Sequence, residues 1–478
     1  MNTSHRSPAP TPPEPQFLPK KARQAGLAAF VGTTIEWFDF YVYATAAALV
    51  FGEVFFPESD RWVGILAAFA TYAVGFFLRP LGGVIFGHIG DTFGRRPALV
   101  MTLVLMGGST FLVGLLPTYA QIGTWAALLL VLLRALQGIA VGGEWGGAVL
   151  MSVEHAPKKW KTFYGGFPQL GNPAGAMLAT GIFSLISLGG DDFLRDGGWR
   201  IPFLVSIVLV AVGFWVRWKV EESPVFEKRV AEADASEGSG RKSKDGVPVL
   251  FAVRRNWIAM LLGLGALPVA TGGYYLTTTF AQAYATGPEV GVPTHIILNA
   301  MTLASFVELL VTLPVAALGD TIGRRLTIGI GVVSSGVLIA PLFLVFGSGS
   351  HVMIFVLVAV VRVAMSMTYA PTATFLSQLF VPQARYTSVS LTYGVGAAVY
   401  GGLAPVTASF LYGQTGTIWS VVVLFVVFAA LNVACVVGAP QLVDEDATPS
   451  PDSPKPQGTM GQEDATDSET TEGARDDA

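Results

Sequence analysis

Two carboxyl side chains interrupt an apolar run near the start of the chain. Glu36 and Asp39 are three residues apart, so an α-helix places both on one face, with Tyr43 four residues beyond Asp39. A charge in the middle of a membrane costs about 3 kcal/mol, and burial favours the neutral form of a carboxyl group. Such a group gains or loses a proton when its surroundings change. We therefore expect these two acids, together with Glu144 in a later apolar run, to be candidates for proton coupling.

Arginines interrupt further apolar runs, and Glu308 lies in the middle of another. A guanidinium binds a carboxylate through two parallel hydrogen bonds, and it becomes available for this when an acidic partner is protonated. The residues that we predict to bind a substrate are Arg79, Arg134, Tyr43, Gln137, Gln169 and Arg362. A plainer interpretation stays open, in which Glu36 or Asp39 pairs permanently with Arg79 or Arg134 and only holds helices together.

The composition indicates which elements must position these groups. The chain has 478 residues, of which 52% are hydrophobic and 13% are charged, and its mean hydropathy is +0.56. Soluble domains carry roughly 25% charged residues. Apolar runs of roughly 20 residues recur along the chain, and each is long enough to cross a bilayer core of about 30 Å as a helix. The sequence therefore predicts an all-α membrane protein that lies in the lipid bilayer.

Twelve spans are predicted, and the lysines and arginines of the short loops orient them. Most of these basic residues fall on one side, which places both chain ends and the central linker in the cytosol, as in a multi-pass protein of a bacterial inner membrane. The spans are 24–51, 62–89, 97–117, 122–152, 163–188, 201–219, 256–285, 293–318, 326–346, 350–379, 387–412 and 416–438.

The polar segments divide the chain further. A disordered lead is predicted at 1–23, a six-helix bundle at 24–219, a cytoplasmic linker at 220–255 and a second bundle at 256–438. The segment 439–478 holds eleven acids against Lys455 and Arg475, and it is nearly free of apolar residues. A segment of this composition cannot bury a core, so we predict that this acidic tail is disordered.

The heptad "GDTFGRR" at 90–96 returns as "GDTIGRR" at 319–325, and Asp91 and Asp320 are 229 residues apart. Arg134 and Arg362 are 228 residues apart, so the two predicted bundles are repeats with the same orientation. We predict that the glycines form a tight turn and that each aspartate lies against the positive end of a neighbouring helix, in one conformation only. A plain topology anchor is the alternative. The predicted gating residues are Gly87, Asp91, Gly94, Arg95, Arg96, Asp320, Gly323, Arg324, Arg325, Glu154 and Glu221.

Both heptads resemble the A motif of the major facilitator superfamily, in "GHIGDTFGRR" and, with Ala316 in place of the leading glycine, in "AALGDTIGRR". Within that superfamily the chain resembles the metabolite:proton symporters, whose members include shikimate, 2-oxoglutarate, citrate and proline/betaine carriers. The matching segments are "GTTIEWFDFYVY" (32–43), "FFLRPLGGVIFGHIGDTFGRRP" (76–97), "RALQGIAVGGEWGGA" (134–148), "GWRIPF" (198–203), "EESPVF" (221–226) and "RYTSVSLTYGVGAAVYGGLAP" (385–405).

The resemblance implies twelve helices in two six-helix repeats around a central cavity, with alternating access by rocking of the halves. It implies a proton symporter that imports a small organic anion, such as shikimate, 2-oxoglutarate or a related metabolite. A proline/betaine-type carrier and a proton-coupled exporter are the alternatives. The energy source would be the proton gradient, with no cofactor and no metal. We expect a monomer that binds a metabolite and protons and no nucleic acid.

The sequence argues against enzymes and against ATP-driven transport. The five histidines and the single cysteine, Cys435, form no cluster in the predicted topology, so no catalytic residues and no metal site are expected. No glycine-rich run matches the phosphate-binding loop of an ATPase.

Overall fold

The computed structural model describes residues 19–93, 95–142, 152–153, 156–218, 248–380 and 385–440, and all regular secondary structure in these ranges is helical. The helices of the first half are α1 (Pro19–Ala46, continued by Ala47–Phe51 and Gly52–Phe55), α2 (Arg61–Phe93), α3 (Arg95–Leu115), α4 (Thr124–Val141, after the short helix Tyr119–Ile122), α5 (Gly171–Ser187, after the turns Lys158–Trp160, Lys161–Gly165 and Pro168–Leu170) and α6 (Arg200–Trp218, after Asp191–Phe193 and Leu194–Gly198).

The second half continues the same pattern. Its helices are α7 (Pro248–Gly265, continued by Val269–Gly273, Leu276–Phe280 and Ala281–Ala285), α8 (Thr294–Thr321), α9 (Arg324–Phe346), α10 (His351–Leu379), α11 (Arg385–Gly396, continued by Ala397–Gly402 and Leu403–Thr415) and α12 (Trp419–Gly438).

These helices have the length and hydropathy of membrane spans. In the described ranges ten helices are long and apolar enough to cross a membrane, and the bent pair Asp191–Gly198 and Arg200–Trp215 makes an eleventh. The shorter apolar helix Val100–Leu115 lies where the third span is predicted. Each predicted span therefore has a helical counterpart.

The helices differ in how deeply they lie in the bundle. The most apolar window of α1 is 78% buried, whereas that of α12 is only 33% buried. Helix α1 packs against α5 and α6 near the centre, and α2 packs against α4. Contacts between α5 and α8, and between α2 and α11, join the first six helices to the last six. The side chains of α1 therefore face other helices on almost every side, while α12 leaves most of its surface to lipid.

Glycines let α2 and α4 approach closely. A methyl group built on Gly138 would lie 2.1 Å from the carbonyl oxygen of Gly75, and one on Gly82 would lie 1.8 Å from that of Ile139. Small residues at such crossings bring backbones together and maximise van der Waals contact in a membrane. The glycines therefore fix the distance between the two helices that carry Arg79 and Arg134.

The second heptad forms its turn with one glycine only. Gly323 has φ of 96°, a conformation that favours glycine, and it separates α8 from α9. Gly319 is helical instead, and a methyl group there would lie 3.1 Å from the side chain of Thr162. The prediction that both glycines form the turn is therefore wrong for Gly319. At that position the absence of a side chain lets α8 approach the helical turn Lys161–Gly165. Gly87 likewise lies within α2 rather than in a loop.

Candidate functional site

The predicted acids of α1 lie in the interior of the bundle. Glu36 is 4% exposed and Asp39 is 2% exposed. Among the described residues, neither carboxylate oxygen of Asp39 has a hydrogen-bond donor. The Thr110 hydroxyl of α3 lies within range of Asp39 but donates to the carbonyl of Met106 (3.1 Å), and the positive charge of Arg134 acts on the same carboxyl. A buried carboxyl with so few donors is poorly solvated as an anion.

Arg134 of α4 is held in place by polar contacts along its own helix and across to α2 and α3. Its Nη1 donates to Gln137 Oε1 (3.1 Å), and its Nε reaches the carbonyl of Tyr72 at 3.4 Å. Gln137 in turn donates to the Thr110 hydroxyl (2.6 Å). The predicted residues Arg134 and Gln137 therefore belong to one network, which ends at the threonine that faces Asp39.

Aromatic rings surround the Arg134 guanidinium. Its central carbon lies 4.6 Å from the ring centre of Phe40, 4.5 Å from that of Tyr43 and 4.6 Å from that of Tyr72. The negative face of an aromatic ring attracts a cation, and the attraction grows when water is removed. Tyr43 is itself fixed by a hydrogen bond of 2.6 Å to Thr71. Tyr43, predicted as a substrate contact, thus supports Arg134 in this conformation.

Arg79 is the second buried cation of the first half. Its guanidinium lies 4.3 Å from the ring centre of Phe40 and 4.4 Å from that of Phe76, and the residue is 8% exposed. Its Nε and Nη2 have no hydrogen-bond partner among the described residues. The arginine therefore presents a permanent positive charge with N–H groups available to an acceptor.

Arg79 faces a cavity between the two sets of helices. The cavity measures about 10 Å³, about the space of one water molecule. Its remaining walls come from α1, α2 and α5 on one side and from α7 and α11 on the other. These residues are Trp37, Phe76, Asn172, Ala270, Thr271, Tyr274, Tyr275, Tyr393 and Ala397. A search for charged groups in the sequence misses all of them, because neutral aromatic and small polar residues do not stand out within apolar helices.

Arg362, the repeat equivalent of Arg134, has an acidic partner. Its Nε lies 3.0 Å from Glu308 Oε2, and both side chains are almost completely buried. Tyr274 donates a hydrogen bond of 2.8 Å to the same carboxylate oxygen, and its ring lies 4.4 Å beneath the Arg362 guanidinium. The Ser305 hydroxyl accepts from Arg362 Nη2 at 3.0 Å. The predicted substrate arginine of the second half is thus already neutralised by a partner that the sequence did not assign to it.

The predicted cytosolic end is closed by the second heptad. The Asp320 carboxylate accepts hydrogen bonds from the backbone N–H groups of Thr162 (2.9 Å) and Phe163 (2.8 Å), at the start of the helical turn Lys161–Gly165. Arg324 Nε donates to the Thr162 hydroxyl at 2.8 Å, and Arg324 Nη2 lies 3.5 Å from Asp320 Oδ1. Asp320 therefore does lie against the amino end of a helical turn in the other half, as the heptad predicts.

Two other predicted residues near this end contact backbone carbonyls. Gln169 donates to the carbonyl of Tyr369 (3.1 Å) and joins the start of α5 to α10, away from the cavity lining. Arg325 donates to the carbonyls of Ala439 and Pro440, just after α12, so it stays within its own half. Of the two arginines of the second heptad, Arg324 alone contacts the opposite half among the described residues.

Aromatic side chains close the opposite end. The ring of Trp62, in the first turn of α2, lies 4.6 Å from that of Tyr412 in α11 and 6.2 Å from that of Phe280 in α7. Polar contacts also link α5 to α8, between Ser184 and Asn299 (2.6 Å) and between Thr302 and Thr180 (2.9 Å). Among the described residues, contacts between the two halves therefore lie on both sides of the central cavity.

Several predicted residues fall outside the described part of the chain. Gly94, Glu144, Glu154 and Glu221 lie outside the described residues, and of Asp91, Arg95 and Arg96 only the helical backbone is described. Their predicted roles in proton coupling and gating remain predictions.

Comparison with known proteins places this architecture in a family. Residues 25–253 match the family model of the sugar (and other) transporters, and residues 269–466 match that of the major facilitator superfamily. The shikimate transporter of Escherichia coli K12 is 38% identical over 422 residues, which cover 88% of this chain and 94% of that protein. The proline/betaine transporter of the same organism is 34% identical, over 82% of this chain and 78% of that protein.

The fold agrees with a solved transporter structure. The crystal structure of a D-xylose–proton symporter superposes with a TM-score of 0.68 at 18% identity, covering 88% of this chain and 98% of the other. At this level of identity the likeness concerns the fold, and the fold is that of two six-helix repeats around a central cavity. From the family models, the relatives and the fold together, the chain is a multi-pass membrane transporter, not an enzyme, and it belongs to the major facilitator superfamily, among the metabolite transporters that include the shikimate and proline/betaine carriers.

Proposed function

We propose that this protein is a proton-coupled symporter that imports a small organic anion. The observation that carries the proposal is the Arg79 guanidinium, which lines the central cavity with two nitrogens that no described residue accepts from. A carboxylate is the ligand class that best fits a planar, permanently charged donor in a site with little water. The similarity to the shikimate transporter supports the same class.

Proton coupling is proposed for Asp39, with Glu36 and Glu144 as further candidates. Asp39 is buried, has no described donor for its carboxylate oxygens and feels the charge of Arg134. Protonation of Asp39 would weaken its hold on Arg134, whereas binding of an anion nearby would favour the protonated acid. The proton and the anion then assist each other's binding, which is the thermodynamic requirement of symport. The proton gradient supplies the energy, and no cofactor takes part.

The proposal includes an arrangement in the cell. The two halves, 24–219 and 256–438, rock about the central cavity, and the linker 220–255 joins them on the cytosolic side, where both termini also lie. The protein acts as a monomer in a bacterial inner membrane. The basic residues of the short loops support this orientation.

A zwitterionic substrate is the second candidate, and the cavity lining favours it. Trp37, Phe76, Tyr274 and Tyr275 give the cavity an aromatic wall beside Arg79. Aromatic walls bind quaternary ammonium groups, so one site could hold the ammonium group of a betaine against the rings and its carboxylate against Arg79. Proline/betaine transporters are among the relatives.

The test is proton movement in proteoliposomes that contain the purified protein. In a lightly buffered, voltage-clamped suspension, external alkalinisation on adding shikimate or 2-oxoglutarate is the expected result. Alkalinisation only with proline or glycine betaine would select the second candidate. The variant Arg79→Gln should abolish the signal in either case. Arg195→Gln is the matched control. Arg195 Nε lies 3.1 Å from Glu53 Oε2, and this exposed pair does not line the cavity. A full signal in Arg79→Gln would contradict the proposal, because Arg79 would then not be needed to bind the anion.

A further inference from the structure

The Glu308–Arg362 pair lies beside the cavity without lining it. Tyr274 forms part of the cavity wall, and the same residue bonds to Glu308 through its hydroxyl and supports Arg362 with its ring. The charge of Arg362 also acts on Tyr41, which packs against Tyr274 from α1 with ring centres 6.4 Å apart. The pair is therefore one aromatic layer away from the space in which a substrate would bind.

The sum of charges around the cavity depends on this pair. Apart from Lys161 and Arg385, which lie at helix starts, the described buried charges are Arg79, Arg134, Glu36 and Asp39 in the first half and Arg362 and Glu308 in the second. Because Glu308 lies 3.0 Å from Arg362, the second half adds no net charge to the site. When one acid of α1 is protonated, these six described groups carry a single excess positive charge.

We infer that Glu308 is a specificity-determining residue, which masks the charge of Arg362 and thereby restricts the site to ligands with one negative charge. This inference rests on the proposed function and narrows its substrate class to monocarboxylates. A dianion would bring a second negative charge into a low-dielectric cavity, where none of these six described groups is left to neutralise it. Loss of the Glu308 charge would leave Arg362 uncompensated, and the second half could then bind a second carboxylate.

The inference predicts opposite effects for the two partners. In Glu308→Gln the Arg362 charge is uncompensated, so the ratio of dianion to monoanion affinity should rise at least about tenfold, as expected for one added charge at an effective dielectric constant of about 20. In Arg362→Gln the affinity for every anion should fall. The double variant Glu308→Gln/Arg362→Gln has no net change in charge, so it should return to the wild-type preference.

The experiment measures competition between succinate and monomethyl succinate, two ligands of similar size that differ by one charge. Each is titrated against shikimate in a thermal-unfolding assay of the full-length purified protein. Thr312→Val is the matched control, because the Thr312 hydroxyl bonds to the Glu308 carbonyl (2.7 Å), and its loss changes packing beside the pair without changing charge. The control should keep the wild-type preference for the monoanion.

Two results would contradict the proposed role of Glu308. A wild-type protein that prefers succinate overturns it, as does an unchanged ratio in Glu308→Gln. Removing one partner of a buried ion pair is strongly destabilising because it leaves an uncompensated charge, whereas replacing both partners by glutamine leaves none. If the single variants do not fold, the inference is tested by the wild-type preference for the monoanion and by the double variant, in which a changed preference contradicts it. Failure of the proposed function is distinguishable, because the wild-type protein would then respond to none of the three anions.

Discussion

At the scale of single residues, the structure separates two kinds of buried arginine. Arg362 has a carboxylate partner at 3.0 Å, whereas Arg79 has only aromatic rings around it and N–H groups without acceptors among the described residues. A buried cation without a partner is unfavourable unless a ligand supplies the missing charge. The asymmetry between these arginines is what makes the first half the proposed anion site.

Asp39 allows proton coupling to be tested apart from substrate binding. The change Asp39→Asn keeps the size and polarity of the side chain but removes its ability to bind and release a proton. Uphill uptake driven by a pH gradient should be lost, while exchange of labelled for unlabelled substrate stays within about twofold of the wild type, because exchange needs no net proton movement. Asp39→Glu, which still titrates, should retain part of the uphill uptake. Loss of exchange along with uptake would instead assign Asp39 a structural role.

At the scale of the helices, the crossing of α2 and α4 depends on glycine. Gly138 of α4 touches the backbone of Gly75, and the neighbouring turn of α4 carries Arg134. The proposed anion site is thus built on two helices whose separation is set by residues without side chains. A change in this separation would move Arg79 and Arg134 relative to each other.

The variant Gly138→Ala should therefore be costly. The added methyl group would lie 2.1 Å from the Gly75 carbonyl oxygen, and overpacking of this kind costs about 1–3 kcal/mol. We expect a lower midpoint of thermal unfolding in detergent and weaker anion binding. Gly329→Ala on α9 is the matched control, because no atom lies within 4 Å of its added methyl group, so its midpoint should be unchanged or slightly higher. Equal midpoints for the two variants would show that α2 and α4 can separate at little cost.

At the scale of the whole molecule, the described contacts between the two halves differ in chemistry at the two ends. The predicted cytosolic end is held by the charge-assisted hydrogen bonds of Asp320 to Thr162 and Phe163, and the opposite end by the packing of Trp62 on Tyr412. Both closures join helices of opposite halves. Opening either end therefore requires the loss of these contacts.

Removing the Asp320 contact should open the cytosolic end. Asp320→Asn loses the charge that accepts two backbone N–H groups, and hydrogen bonds to charged groups contribute about 1.5–3 kcal/mol each. In a variant without Cys435, a cysteine at the buried position Ala316 should then react with maleimide at least about tenfold faster, since 1.4 kcal/mol is a factor of ten. Arg325→Gln is the control, because Arg325 contacts only its own half. Equal labelling rates in the two variants would argue for a plain topology anchor.

Removing the aromatic contacts of Trp62 should open the opposite end of the molecule. Trp62→Ala deletes a ring that packs on Tyr412 and Phe280 across the two halves. Truncation of a fully buried aromatic side chain costs about 3–5 kcal/mol. The cost should be smaller for Trp62, which is partly exposed. We expect a cysteine at Thr279, a buried neighbour of Phe280, to become accessible from outside the cell but not from the cytosol. Accessibility from the cytosolic side instead would reverse the predicted orientation.

The sequence by itself determined the helices, their approximate bounds, the internal repeat and the depth of the charged residues. These properties follow from hydropathy and spacing along the chain. Hydropathy is a reliable guide here because unpaired backbone groups are not tolerated in lipid, so each apolar span must form a helix. The motifs also carried the family resemblance. The expectation that Asp320 lies against a helix end came from the same local pattern.

Only the tertiary structure decided which charges have partners. Glu308 and Arg362 are 54 residues apart and on different helices, and nothing in their local sequence shows that they meet. The cavity wall of Trp37, Tyr274, Tyr275 and Tyr393 was also invisible, because aromatic residues occur throughout apolar helices and their rotation about the helix axis is set by packing. Helix packing thus decides whether a buried arginine is neutralised or available, and with it the charge of the ligand that the cavity accepts.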